Sequence, residues 1–166
     1  MNILYVGDVA KKVIYLTIDP PGFSDKFRKA VEADGFRIKK EFHVTIAYST
    51  VFERLGEAGF RRLADRLNQL PKPEYTFQNE VYFIALSKIV DQIEYPRESL
   101  VTPVMSSDIK EHIASATDGL LDLDPFLHVT LCTRQDNPAA RIGIGIPSNA
   151  DWQTLQPKLY TQKWQA

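Results

Sequence analysis

Apolar and polar residues along this chain alternate between the spacing of strands and the spacing of helices. Residues 12–19 are rich in β-branched and aromatic side chains and stop at a Pro-Pro-Gly sequence, which predicts a strand followed by a turn. An apolar stripe at helical spacing then follows Ser24, a residue suited to cap a helix N-terminus. Asp34-Gly35 ends that stripe, and the glycine suits the left-handed position after a helix.

The same spacing predicts the remaining elements of the chain. These are strands over 36–49, 75–86, 89–95, 124–134 and 141–146, a helix over 53–70, and a helix from Ser106 or Ser107 to Asp118-Gly119. No linker or low-complexity tract divides them. We therefore expect one α+β domain over residues 1–166.

Composition and charge exclude several classes of protein. The chain has 166 residues, 44% of them apolar and 25% charged, which favours a packed core. Its 20 Lys and Arg against 21 Asp and Glu give a net charge of -1, so it lacks the basic excess of a binder of long double-stranded nucleic acid. A local anion site remains compatible with this balance.

The location of the protein is predicted from what the sequence lacks. A single cysteine, Cys132, excludes an intramolecular disulfide and a cysteine-rich zinc site. The longest apolar run, 81–86, is far shorter than the roughly 20 residues of a membrane span. Charged residues and a glycine interrupt the N-terminal apolar patches, unlike a secretory signal. We expect a monomer in the cytoplasm with no membrane partner.

A short pattern occurs twice. A helix ending in Asp-Gly is followed by a strand that carries His-Val-Thr between apolar residues, at His43 and again at His128. The step from glycine to histidine is eight residues in the first copy and nine in the second. Helix-glycine-strand is common and coincidence is the alternative, but the matching strand interiors favour an internal duplication.

These two strands carry candidate chemistry. Side chains alternate along a strand, so His43 and Thr45 share one face, as do His128 and Thr130. Two imidazoles can act as base and acid near neutral pH, and two hydroxyls can donate hydrogen bonds to anionic oxygens. In-line cleavage of a phosphodiester needs that set of groups. We expect a bell-shaped pH–rate profile around neutrality.

The paired H-x-T motifs, 85 residues apart, resemble those of the 2H phosphoesterase superfamily, which includes the LigT-like (2′,5′-RNA ligase-like) enzymes and the 2′,3′-cyclic phosphodiesterases. The resemblance implies two pseudo-twofold-related lobes, roughly 1–70 and 71–166, with antiparallel sheets lining a central cleft and helices outside. It also implies metal-independent cleavage of 2′,3′-cyclic phosphates, 2′-5′ linked RNA ends or cyclic oligonucleotides. By the same resemblance His128 is the base, His43 the acid, and Thr45 and Thr130 bind the phosphate.

Strand alternation nominates further residues beside His128. Arg134 lies on the same predicted face and is a candidate clamp for the substrate phosphate, or else an ordinary strand-end arginine. Cys132 shares that face and is expected to be a small wall residue. Phe126 is expected to cover the core, with stacking on a base as the alternative.

Beside His43, Lys39 and Glu41 share the predicted face. Lys39 is a candidate source of positive charge and Glu41 a candidate to orient an imidazole, but by default both are ordinary exposed strand residues. Tyr48 has the opposite parity and should point into the core unless a bulge intervenes. The basic pairs, Lys11-Lys12 among them, are expected on the solvated surface.

Three alternatives stay open. The histidines can be structural residues of half-buried strands. A metal site is disfavoured because His112, the third histidine, lies on a predicted helix and no cysteine or carboxylate cluster joins the motifs; we expect no metal and no cofactor. A non-catalytic nucleotide- or RNA-binding module with the same fold is the third. The motifs contact phosphate, so they do not identify the base.

Overall fold

The computed structural model describes residues 4–121, 125–134, 144–161 and 164–165, apart from the side chains of Lys88 and Val90. Within these residues the protein is a mixed α+β structure, as the sequence predicted. In chain order its elements are β1 (Tyr5–Asp8), β2 (Val13–Ile18), α1 (Asp25–Ala33), β3 (Arg37–Ile38), β4 (Phe42–Ala47), α2 (Ser49–Leu67), β5 (Thr76–Phe77), β6 (Val81–Val90), β7 (Ile93–Met105), α3 (Ser107–Ala116), β8 (His128–Arg134), α4 (Asn149–Thr154) and β9 (Lys158–Thr161).

The described strands form a single antiparallel sheet. Its order is β1-β2-β4-β8-β7-β6-β9, with β3 also paired to β8 and β5 to β7. The family resemblance implies sheets in two lobes, whereas described strands from both halves of the chain share this sheet. The two strands that carry His-Val-Thr, β4 and β8, are therefore direct neighbours at its centre.

The predicted ends of α1 and α3 are confirmed. The Ser24 hydroxyl accepts a hydrogen bond from the Phe27 amide at 3.1 Å, and the Ser106 hydroxyl accepts one from the Ile109 amide at 3.4 Å. Beyond the helices, Gly35 and Gly119 adopt φ values of 83° and 77°, a left-handed conformation that glycine adopts without strain. Both helices begin at a serine cap and are followed by a left-handed glycine, although in the second copy Asp118 (φ 51°) is left-handed as well.

Other boundaries differ from the predictions. Helix α2 begins at Ser49, earlier than expected, and Gly56 (φ 72°, ψ 173°) interrupts its helical backbone. The strand expected over 36–49 is divided into β3 and β4. Strand β7 continues to Met105 although Pro103 lies within it.

The C-terminal part was the hardest to predict. Residues 141–143 of the predicted strand lie outside the described residues, and 144–146 form no strand. Helix α4 and strand β9 follow, which the sequence analysis did not predict. Of the helices in the described ranges, none combines the length and hydropathy needed to span a membrane.

Apolar side chains lie in two clusters that leave part of the sheet uncovered. Val44 and Val129 belong to the larger core, which also contains apolar residues of α1, α2 and α3. A smaller cluster brings Ile144 and Ile146 against Val101 of β7. The residues of β4 and β8 on either side of Val44 and Val129 face away from the larger core. The segment 144–146, which packs against β7, lies next to these residues.

Candidate functional site

The position of the two motifs is set by one pairing between β4 and β8. Val44 and Val129 are opposite each other in this antiparallel ladder, and both are fully buried. In an antiparallel register, residues one step before and one step after such a pair are also opposite each other. His43 therefore falls across from Thr130, and Thr45 across from His128.

The four polar side chains line one cavity, as the sequence predicted they would share one site. Its volume is about 490 Å³. Opposite residues of antiparallel strands have Cβ atoms about 4.5–5.5 Å apart, so each imidazole lies beside the threonine of the other strand. The remaining lining residues are Lys11, Val13, Lys39, Glu41, Tyr48, Ile144 and Gly145.

Each motif strand has a bulge directly after its threonine. Thr45 pairs with Tyr15 of β2, but the next pair joins Ala47 to Ile14, so one residue of β4 is skipped. On β8, Thr130 pairs with Val101 and the next pair joins Cys132 to Leu100. A bulge inserts one residue and reverses the alternation of faces beyond it. Simple alternation therefore predicts the wrong face of the sheet for residues that follow Thr45 on β4 and Thr130 on β8.

Tyr48 is the first consequence of these bulges. Simple alternation predicts that Tyr48 points into the core unless a bulge intervenes. The bulge after Thr45 is such an exception, and Tyr48 lies at the wall of the cavity. Its hydroxyl oxygen accepts a hydrogen bond from the Ile146 amide at 3.2 Å. Burial raises the pKa of the Tyr48 phenol to about 12, so its proton stays available as a hydrogen-bond donor at neutral pH.

Arg134 is the second consequence, and it does not line the cavity. Its guanidinium donates to the Glu98 carboxylate at 2.7 Å and to the Asp34 carbonyl at 2.8 Å. It also lies 4.3 Å from the centre of the Phe36 ring. With these partners Arg134 forms a structural ion pair outside the cavity lining, which favours the ordinary strand-end arginine over the phosphate clamp.

Cys132 was expected to be a small wall residue on the face of His128, but the bulge after Thr130 turns it into the larger core, where it is fully buried and does not line the cavity. Burial raises the pKa of its thiol to about 12. A thiol that stays protonated is a poor nucleophile, so Cys132 does not compete with the histidines for a catalytic role.

His128 is enclosed by aromatic and apolar groups. Phe126 stacks on its ring at 6.0 Å, and Trp152 of α4 stacks on Phe126 at 4.6 Å. Phe126 is half-buried behind the imidazole and does not lie in the deep core. Burial lowers the pKa of His128 to about 4, against the opposing effect of nearby carbonyls of Phe126 and Ile144.

His43 is more open than His128 and is bordered by positive charge. It is half-buried, and the Tyr15 ring lies 4.6 Å from its own. Burial lowers its pKa first, then the charges of Lys39 and Lys11, while Glu41 acts in the opposite direction. The lowering is smaller than for His128. Both imidazoles are therefore predominantly neutral at pH 7 in the free protein.

Two lysines at the site belong to basic pairs that were predicted on the solvated surface, although Lys39 also shared the predicted face of His43. Lys11 and Lys39 both line the cavity. Lys12, the other member of the first basic pair, directs its ammonium over the Phe52 ring at 5.3 Å. The β1–β2 turn thus directs the side chains of these two adjacent lysines to different places, which the composition of the chain does not predict.

Metal centres in proteins are built from clustered His, Cys, Asp and Glu side chains. Within the described parts of the chain, no group of three or more His, Cys, Asp or Glu side chains is arranged to hold a metal ion. His112 lies on α3 and does not line the cavity.

No protein-family model, curated protein or solved structure matches this chain.

Proposed function

We propose that this protein is a metal-independent phosphodiesterase of the 2H type, acting as a cytoplasmic monomer on a short nucleotide or RNA end. Its substrates are 2′,3′-cyclic phosphates, 2′-5′ linked ends or cyclic oligonucleotides. The observation that carries the proposal is the crossed arrangement of the two motifs, in which each imidazole lies beside the threonine of the other strand and all four line one cavity.

This arrangement supports acid–base catalysis on a bound phosphodiester. One imidazole removes the proton from water or a ribose hydroxyl, and the other protonates the departing oxygen. The threonine hydroxyls of Thr45 and Thr130 donate hydrogen bonds to the non-bridging oxygens, where negative charge accumulates. Along the two strands, His43 and His128 lie on opposite sides of the Val44–Val129 pair, and so do the two threonines. In-line attack and departure require a base on one side of the phosphate and an acid on the other.

The unequal surroundings of the histidines support the assignment of roles. His128, with a pKa of about 4, is neutral over a wide pH range and is suited to be the base. His43 is more open and keeps the higher pKa, so it is suited to hold the proton that the leaving oxygen receives. These roles are exchanged in the reverse reaction, because the reverse reaction passes through the same transition state.

We also propose that the two halves of the chain, roughly 1–70 and 71–166, are pseudo-twofold-related lobes around the catalytic cleft. A local twofold axis between Val44 and Val129 would exchange β4 with β8. Three features support this relation: the matching bulges after Thr45 and Thr130, the serine caps of α1 and α3, and the glycines that end them.

A substrate panel tests the proposed function. It contains 2′,3′-cyclic mononucleotides, 2′-5′ and 3′-5′ oligonucleotides and cyclic oligonucleotides, each assayed in excess EDTA with His43→Ala as the control. We expect cleavage of at least one class that persists in EDTA and is lost in His43→Ala. Binding without turnover on every substrate supports the non-catalytic binding module instead, and activity lost in EDTA supports a metal-dependent hydrolase. Analysis of the products also identifies whether the phosphate stays on the 2′ or the 3′ oxygen.

A further inference from the structure

A second hollow adjoins the cavity of the His and Thr side chains. Its volume is about 570 Å³, and residues such as Tyr15 and Thr17 of β2 line it. Lys11, Lys39 and His43 line both hollows, whereas His128 and Thr130 line only the first. The hollows thus meet at His43, and each has the size typical of a ligand site, roughly 300–1,000 Å³.

Lysine side chains outnumber carboxylates where the two hollows meet. Lys11, Lys39 and Glu41 line both hollows, and Lys40 and Asp8 line only the second. Neither Lys11 nor Lys39 has a carboxylate of any described residue within 4.0 Å. The Asp8 carboxylate, which also lines the second hollow, accepts a hydrogen bond from the backbone amide of Lys11 at 3.1 Å.

The lysines repel each other and the protonated form of His43. The half-buried Lys39 has a lowered pKa because of burial and the nearby Lys11 charge, with Glu41 acting in the opposite direction. Clustered ammonium groups without close carboxylates are stabilised when an anion binds between them. The chain as a whole has a net charge of -1, whereas three lysines and two carboxylates line the second hollow and give it a net positive charge.

We propose that the second hollow binds a second phosphate of the substrate, held by Lys11 and Lys39, while the scissile phosphodiester lies against the His and Thr side chains. The role of the scissile phosphate rests on the proposed function. Two imidazoles and two hydroxyls already surround that phosphate, and Lys40 borders only the second hollow. The preferred substrate therefore carries at least two phosphates, as a 5′-phosphorylated nucleotide or an oligonucleotide does.

A binding measurement tests the second phosphate site without requiring turnover. Calorimetry at fixed salt compares adenosine 3′-monophosphate with adenosine 3′,5′-bisphosphate on the wild type, Lys11→Gln/Lys39→Gln and Lys12→Gln. Lys12→Gln is the matched control, because it removes an adjacent charge that points at Phe52 and away from both hollows. Thermal unfolding of each variant verifies that it is folded.

We expect the wild type and Lys12→Gln to bind the bisphosphate about 10- to 100-fold more tightly, from two charge-assisted contacts. In Lys11→Gln/Lys39→Gln the preference should fall to within about threefold, because neutral amides replace both ammonium groups. The proposal is overturned if the wild type binds neither ligand, shows no preference, or if the double variant keeps the preference.

A turnover assay distinguishes the source of the second phosphate. Adenosine 2′,3′-cyclic phosphate is compared with its 5′-phosphorylated form and with an adenosine dinucleotide that ends in the cyclic phosphate. Higher kcat/KM for the 5′-phosphorylated form identifies a terminal phosphate, and higher kcat/KM for the dinucleotide alone identifies a phosphodiester. If no substrate is cleaved while the bisphosphate preference persists, the proposed function fails and the phosphate site stands. If cleavage persists without that preference, the second site alone fails.

Discussion

Val44 and Val129 are direct partners in the antiparallel ladder between β4 and β8, and each is the middle residue of a His-Val-Thr sequence. Their side chains are buried in the core beneath the sheet. This single pairing places all four polar residues of the two motifs on the other face, with each histidine across from the other strand's threonine. A shift of one residue between the strands would remove this crossed arrangement.

The two threonine hydroxyls should contribute to turnover without being needed for folding. Thr45→Val and Thr130→Val each remove one donor to the phosphoryl oxygens, and we expect kcat to fall by roughly 10- to 100-fold. Thr45→Ser and Thr130→Ser keep the hydroxyl and should retain activity to within about threefold. Steady-state kinetics on the cleaved substrate measures both pairs; equal rates for the Val and Ser variants would show that the hydroxyls are not used.

The local parts of this arrangement were predictable because they depend on neighbours in the chain. The serine caps of α1 and α3 and the glycines after them satisfy backbone groups within a few residues, so the sequence places them correctly. The shared face of His43 and Thr45 follows from strand alternation alone. The pairing of β4 with β8 joins segments 85 residues apart, and a register between distant strands is set by packing that no local pattern encodes.

The pH dependence of catalysis should lie on the acidic side of neutrality. With His128 as base, kcat/KM should rise with pH through about 4, its pKa in the free protein. With His43 as acid, kcat/KM should fall as pH rises through a pKa below the ordinary 6.5, since burial and two lysines disfavour its proton. Sequence alone placed this optimum near neutrality. A series of kcat/KM measurements from pH 3.5 to pH 8 determines the optimum. An optimum above pH 7 would contradict the lowered pKa values of the two histidines.

The burial of His128 should also make stability depend on pH. Its pKa is about 4 when folded and near 6.5 when unfolded, so the unfolded chain binds the proton first as pH falls. The free energy of unfolding should therefore decrease from about pH 6.5 to about pH 4, by about 3 kcal/mol from this group. Urea unfolding of His128→Gln should show a weaker pH dependence than that of the wild type. Identical pH dependence in the two proteins would contradict the burial of His128.

Tyr48 should depend on the absence of a side chain at Gly145. A Cβ atom at Gly145 would lie 3.1 Å from Cε1 of Tyr48, a contact close enough that the ring must shift by a few tenths of an ångström. We expect Gly145→Ala to lower kcat/KM by roughly tenfold, as a small misplacement of a positioning group does. Gly22→Ala is the control, because nothing lies within 4 Å of a Cβ there. Steady-state kinetics of Gly145→Ala, Gly22→Ala and Tyr48→Phe distinguishes whether kcat/KM depends on the position of the Tyr48 ring or on its hydroxyl. A wild-type kcat/KM in Gly145→Ala would contradict a dependence on the position of the ring.

Tyr48, Arg134 and Lys11 show where prediction from the sequence stopped. The bulges after Thr45 and Thr130 are irregularities of strand pairing, and they reverse the faces of the residues that follow. Tyr48 consequently reaches the cavity, while Arg134 pairs with Glu98. Lys11 and Lys12 are the same residue type and differ only in their backbone conformation in the turn between β1 and β2. Lys11 lines the cavity, whereas Lys12 has a positive φ and does not.

The central claim is that His43 and His128 are an acid–base pair acting on a phosphodiester. The most direct test measures turnover of a cleaved substrate by wild type, His43→Ala, His128→Ala and His112→Gln, in excess EDTA, with circular dichroism as the check on folding. We expect each of the first two variants to lose roughly 10²- to 10⁴-fold in kcat while staying folded, because each removes one proton-transfer group. His112→Gln should remain at the wild-type rate, since His112 lies outside the cavity. Wild-type turnover in both His43→Ala and His128→Ala would contradict the account.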